Sequence, residues 1–84
     1  MIQRRPGWLS AQVGEEIVMM SVETGDYVGL NSVGARIWEL IEAPAELDEL
    51  CARLEGEFEA PPEVCRRDVE TFLAELEARR LITR

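Results

Sequence analysis

The stretch Val22-Glu23-Thr24-Gly25-Asp26-Tyr27-Val28-Gly29-Leu30-Asn31 constrains this chain more than any other. Glycine at position 25 supplies the positive φ that a tight turn over Glu23–Asp26 requires. The segments on either side, Ile17 to Val22 and Tyr27 to Leu30, are rich in β-branched and aromatic residues and read as paired strands. Asn31 comes next, where its side chain accepts from the backbone N–H groups left unpaired at the start of a helix. A short strand joined directly to a helix sets a sheet edge beside a helical face. The space between them is a groove.

Ahead of this stretch, Met1 to Gly7 holds Arg4, Arg5 and Pro6 and reads as an extended N-terminal arm. From Trp8 to Val13, Leu9, Ala11 and Val13 alternate with Ser10 and Gln12, which predicts a strand burying the apolar set on one face. Gly14-Glu15 is a turn. Ile17-Val18-Met19-Met20-Ser21-Val22 is more continuously apolar and predicts a central strand covered on both faces.

From Ser32 the apolar period lengthens from two to the helical value. Val33, Ile37, Leu40 and Ile41 fall on one stripe, Trp38 widens it toward Gly34, and Pro44 ends it. A second helix, Glu46 to Glu57, aligns Leu47, Leu50, Cys51, Leu54 and Phe58. Glu46, Asp48 and Glu49 suit the positive end of its dipole. Its start, at Ala45-Glu46, lacks a serine or threonine cap, and Gly56 predicts a frayed last turn. Pro62 opens a third helix running to about Arg80, with Val64, Cys65, Val69, Phe72, Leu73 and Leu76 in a broad apolar band. Arg79 and Arg80 fall in its last turn, where the dipole favours positive charge, and Leu81-Ile82-Thr83 packs back on the body. The pattern predicts one α+β domain over residues 1–84, a three-stranded antiparallel sheet followed by three helices. So small a domain buries only about 60 to 65% of its unfolded surface and has little room for a deep catalytic pocket.

The chemistry that is missing narrows the function. The chain has no histidine, no phosphate-cradling glycine loop and no nucleophile elbow, so neither catalysis nor a cofactor is expected. Cys51 and Cys65 fall short of the ligand set of a structural zinc, so no metal is expected and both read as small core residues. Trp38 reads as core packing, while Trp8 is left open between packing and stacking on a ligand. Asp68, beside Val69 at the margin of the apolar band, either pairs with Arg36 or Arg66 or meets a donor from a partner. With a net charge of −8 and arginine as the only base, the chain is repelled by phosphate backbones and anionic membranes, and favours neutral or basic peptides and proteins. The third helix carries Arg66, Arg67, Arg79 and Arg80 but also Glu63, Asp68, Glu70, Glu75 and Glu77, a poor balance for a DNA-recognition helix. The lack of an export signal or a long apolar run predicts a cytoplasmic protein. The remaining candidate is the strand Tyr27 to Leu30, short and containing Gly29, whose open edge can accept an extended peptide as an added strand.

The run Thr24-Gly25-Asp26-Tyr27-Val28-Gly29-Leu30-Asn31-Ser32-Val33-Gly34-Ala35-Arg36-Ile37-Trp38-Glu39-Leu40 resembles the hallmark of the PqqD-like family. Leu47-Asp48-Glu49-Leu50, Asp68-Val69-Glu70-Thr71-Phe72-Leu73-Ala74-Glu75-Leu76 and Leu81-Ile82 extend the resemblance over Trp8 to Ile82. The resemblance implies a winged helix-turn-helix-like fold and a recognition element for ribosomally made, post-translationally modified peptides. A precursor's leader would bind on the edge Asp26, Tyr27, Val28, Gly29 and Leu30, against a helical wall drawn from Asp68, Val69, Phe72, Leu73 and Leu76. A free-standing domain of this length looks most like the leader-binding subunit of a lasso-peptide system. Such a subunit acts as a monomer or weak dimer with a leader peptidase of the transglutaminase-like cysteine protease type and a macrocyclase. The alternatives are a peptide chaperone for the radical enzyme of pyrroloquinoline quinone synthesis, a winged-helix DNA binder, and a scaffold that touches no substrate.

Overall fold

The computed structural model describes residues 1–84, in the order β1 (Gln3–Arg4), β2 (Trp8–Val13), β3 (Glu16–Ser21), β4 (Tyr27–Leu30), α1 (Ser32–Leu40), α2 (Leu47–Phe58), α3 (Pro62–Ala78) and β5 (Ile82–Thr83). The fold is α+β: an antiparallel sheet in the order β2-β3-β4, followed by three helices, as the hydrophobic periods predict. Gly25, at φ 75°, closes the β3–β4 turn, where the Ser21 N–H donates to the Asp26 carbonyl at 2.8 Å. The Thr24 hydroxyl bonds the Asp26 carboxylate at 3.0 Å and ties the turn to the start of β4.

The N-terminal arm is extended, yet it is part of the body. Ile2 is buried and exchanges backbone bonds with Ala45 at 2.7 and 3.0 Å. β1 pairs with β5, so the two ends of the chain form a second, two-stranded sheet. The Arg4 guanidinium lies 4.4 Å from the centre of the Trp38 ring and donates to the Trp38 carbonyl. Leu81 and Ile82 are buried, which is the predicted packing of the C-terminal tail.

Two expectations about the sheet are corrected. Leu9 and Val13 are 57% and 62% exposed, and Ala11 is exposed as well, so the apolar alternation of β2 does not mark a buried face. The register explains this: Leu9 lies opposite Met20 and Ala11 opposite Val18, on the side of the sheet away from the helices. β3 is central, but only Ile17, Met19 and Ser21 are buried, and Val18 and Met20 on the outer face are half-exposed. The helices cover β3 and β4 on one side and leave β2 largely in water.

The core lies between that inner face and the helices. Ile17, Met19 and Leu30 from the sheet meet Ile37, Trp38 and Ile41 around α1, Leu50 and Leu54 of α2, and Val69, Leu73 and Leu76 of α3. Cys51 and Cys65 are buried core residues, and desolvation pushes both thiols above their usual range. No helix is long and apolar enough to cross a membrane.

The helix ends refine the predicted boundaries. Asn31 caps α1, its side chain accepting from the Gly34 N–H at 2.9 Å. Glu46 makes no side-chain cap on α2, in line with the missing serine or threonine. The expected fraying at Gly56 does not occur: α2 continues to Phe58, and its last turn is held by Arg36, which grips both Glu57 oxygens at 2.7 and 2.9 Å. Those hydrogen bonds keep the Glu57 carboxyl below its usual range. α3 stops at Ala78, short of the predicted Arg80, because Arg80 turns left-handed at φ 63°. The Leu81 N–H then reaches back to the Leu76 carbonyl at 2.8 Å and closes the helix.

Candidate functional site

β4 is an edge strand, bonded to β3 on one side only. The Ser21–Asp26 bond fixes the alternation of the ladder, so Val28 and Leu30 turn their backbone groups to β3. Tyr27 and Gly29 therefore present their N–H and C=O groups to the free edge. That edge faces α3 across a hollow of about 310 Å³, lined by Tyr27, Val28, Gly29 and Leu30 on one side and Phe72, Glu75, Leu76 and Arg79 on the other. A row of free donors and acceptors beside a wall that mixes apolar and charged side chains is what an added strand needs.

The hollow opens at both ends. Beyond Leu30, an apolar pocket of about 380 Å³ lies between the start of α1, the end of α2 and the first half of α3. Val33, Phe58 and Val64 line it although they are exposed, and Phe72 is shared with the hollow beside β4. Beyond Tyr27, a more polar cavity of about 600 Å³ is bounded by the arm, Trp8 and the end of α3, and Arg79 belongs to both spaces. Trp8 is half-buried there, its indole N–H donating to the Arg80 carbonyl at 3.1 Å, which sets it among packed residues with one side on the cavity.

The sequence-predicted residues divide accordingly. Asp26, Tyr27, Val28, Gly29 and Leu30 lie at the start of β4 and along it, with Leu30 buried from the inner side. Phe72 and Leu76 line the hollow beside β4, while Asp68 and Val69 line the apolar pocket. Leu73 lines none of the three spaces and is fully buried. Asp68 is exposed and lies 3.6 Å from Arg67, and not with Arg36 or Arg66 as the sequence suggested. Arg36 is held by Glu39 and Glu57, and Arg66 by Asp48 and Glu70. Periodicity missed Val33, Phe58 and Val64 as pocket residues because it assigns every apolar position on a stripe to the core. Their places near helix ends, where neighbouring helices diverge, were the available signal.

Gly34 fits the pocket by its lack of a side chain. A Cβ there would stand 2.8 Å from Cζ of Phe72 and 2.9 Å from Cε1, far inside contact distance. Gly34→Ala should gain about 0.5–1 kcal/mol of helix propensity and lose a similar amount by displacing the ring. The thermal midpoint should move little. The displaced ring should narrow the groove and weaken peptide binding about tenfold, measured by calorimetric titration; an unchanged affinity would mean the ring does not touch the ligand.

Known proteins share this fold. The family described as coenzyme PQQ synthesis protein D (PqqD) matches residues 16–82. The solved structure of TbiB1 in complex with the TbiA(beta) leader peptide has a TM-score of 0.87 at 30% identity, covering 95% of this chain and 93% of that one. A lasso peptide synthetase B1 complexed with the leader peptide has a TM-score of 0.86 at 20% identity, covering 99% and 98%, a likeness of fold. No curated protein matches this chain.

Proposed function

The chain belongs to the PqqD family, and from that premise we propose that it binds the leader of a ribosomally made precursor peptide as a strand added to β4, in the cleft against α3. The observation that carries this reading is the free edge at Tyr27 and Gly29, set across a hollow from Phe72, Glu75, Leu76 and Arg79 of α3. Main-chain bonds to that edge, each worth about 0.5–1.5 kcal/mol net, supply affinity without demanding a sequence. Selectivity comes from the pocket beyond Leu30, whose lining of Val33, Phe58, Val64 and Phe72 accepts an apolar side chain. The likeness to TbiB1, solved with a leader peptide, supports the same use of this fold here.

The domain binds and presents; it does no chemistry on the peptide. In this reading it delivers the precursor, in lasso-peptide biosynthesis, to a separate leader peptidase of the transglutaminase-like cysteine protease type and then to a macrocyclase. It acts in the cytoplasm as a monomer or weak dimer. The family's description in terms of coenzyme PQQ synthesis favours a second reading, in which the same edge holds a peptide for a radical enzyme.

The test is fluorescence anisotropy with labelled leader peptides of lasso-peptide precursors, the TbiA(beta) leader among them, and scrambled leaders as controls. Saturable binding at micromolar concentrations or below, lost on scrambling, is the expected result. Equal binding of leaders and scrambled controls, or none by protein shown to be folded, would remove the reading.

A further inference from the structure

The far end of the groove has a charge opposite to that of the molecule. Of the nine basic residues, Arg36, Arg66 and Arg67 sit within salt-bridge distance of carboxylates, and Arg4 lies over Trp38. Five others make no ion pair: Arg53 and Arg84 stand elsewhere, while Arg5, Arg79 and Arg80 line one and the same cavity beyond Tyr27. They are brought there by different parts of the chain. The Arg5 N–H bonds the Leu81 carbonyl at 2.9 Å, which draws the arm across the end of α3, and the left-handed turn at Arg80 ends the helix at this corner. Glu23 and Asp26 form the opposite rim on the hairpin turn, and the Asp26 carboxylate is engaged by the Thr24 hydroxyl.

We propose that this corner, through Arg5, Arg79 and Arg80, binds an acidic side chain of the docked peptide and so fixes its direction and register on β4. The inference rests on the peptide-binding reading above. Antiparallel addition, the commoner arrangement, runs the peptide from the Leu30 end toward the Tyr27 end. Its apolar anchor in the pocket of Val33 and Phe72 then lies N-terminal to the acidic residue. β4 spans four residues, about 13 Å at a rise of about 3.3 Å each. Side chains reaching the α3 side from one strand alternate, so the two anchors are separated by an even number of positions, about four or six. A peptide bound the other way would place an apolar residue against unpaired arginines and an acid in an apolar pocket. The excess of acid elsewhere on the surface makes this corner the favourable landing place for a carboxylate.

The experiment is a sort of a displayed library of random linear peptides against the folded domain. The best binder is then synthesised and measured by anisotropy beside a copy with lysine at its acidic position. The expected consensus is an apolar residue followed at even spacing by aspartate or glutamate. The acidic peptide should bind about tenfold tighter than the lysine copy, with the difference shrinking as salt is added. The double variant Arg79→Glu, Arg80→Glu should reverse the preference, and circular dichroism checks that it is folded. Arg79→Gln, a milder change, should reduce the preference without reversing it. A consensus with no acid, or equal binding of both peptides to every variant, would overturn the acidic anchor while leaving peptide binding intact. A library that yields no binder at all would overturn both.

Discussion

Gly29→Pro should abolish peptide binding and leave the domain folded. The Gly29 N–H points to the free edge of β4, so proline there removes no bond to β3. Nothing lies within 4 Å of a Cβ built at this position, and Val28 already has the extended backbone that a following proline demands. Proline does pull φ toward about −65° from the strand value of about −140°, so a stability cost of about 1–2 kcal/mol is expected, small enough to leave the domain folded. A peptide laid along the edge meets the ring where it requires a donor. One of its carbonyls is left buried and unpaired, at about 1–3 kcal/mol, and the ring also pushes the strand away. Affinity for the leader should fall on the order of a hundredfold. Gly29→Ala keeps the donor and projects its methyl into open space, so it should bind nearly as the parent does. Chemical denaturation and anisotropy on both variants decide the matter. If Gly29→Pro bound normally, the edge would not be the site.

What the sequence makes legible is what depends on neighbours in the chain. The Gly25 turn, the Asn31 cap and the opening of α3 at Pro62 are set by local backbone preferences, and each was readable at the residue. The burial of β2 was not, because it depends on which strands the helices cover. Leu9 and Val13 alternate as a half-buried strand does, yet the helices do not cover their face. The β1–β5 pair was illegible for another reason: each strand is two residues long, too short to show a period, and its partner lies at the other end of the chain. At the groove, the edge Tyr27–Leu30 was readable because a glycine and a short length mark it, whereas the Arg5, Arg79, Arg80 corner is assembled only by the fold. Net charge concealed it, since an average of −8 says nothing of where three unpaired arginines meet.

The division of α3 between core and groove, which periodicity leaves open, has a direct mutational signature in adjacent residues. Leu73 is fully buried and lines none of the three spaces, whereas Phe72 is half-buried and touches both the hollow and the apolar pocket. Leu73→Ala should cost about 2–5 kcal/mol. At roughly 0.05–0.15 kcal/mol per residue, a chain of 84 residues has about 4–13 kcal/mol in all, so this one change removes a large share. Phe72→Ala should cost less, about 1–3 kcal/mol, because part of the ring is already in water. Binding should show the opposite order: Phe72→Ala loses the surface that closes both spaces and falls more than tenfold, while the folded fraction of Leu73→Ala keeps near-normal affinity. Urea denaturation gives the first ranking, and titration corrected for the folded fraction gives the second. Equal losses of stability and binding in both variants would mean that the groove is no more than an outcrop of the core. Opposed rankings would mean that one helix turn serves both, with Leu73 holding the body together and Phe72 turned outward to the ligand.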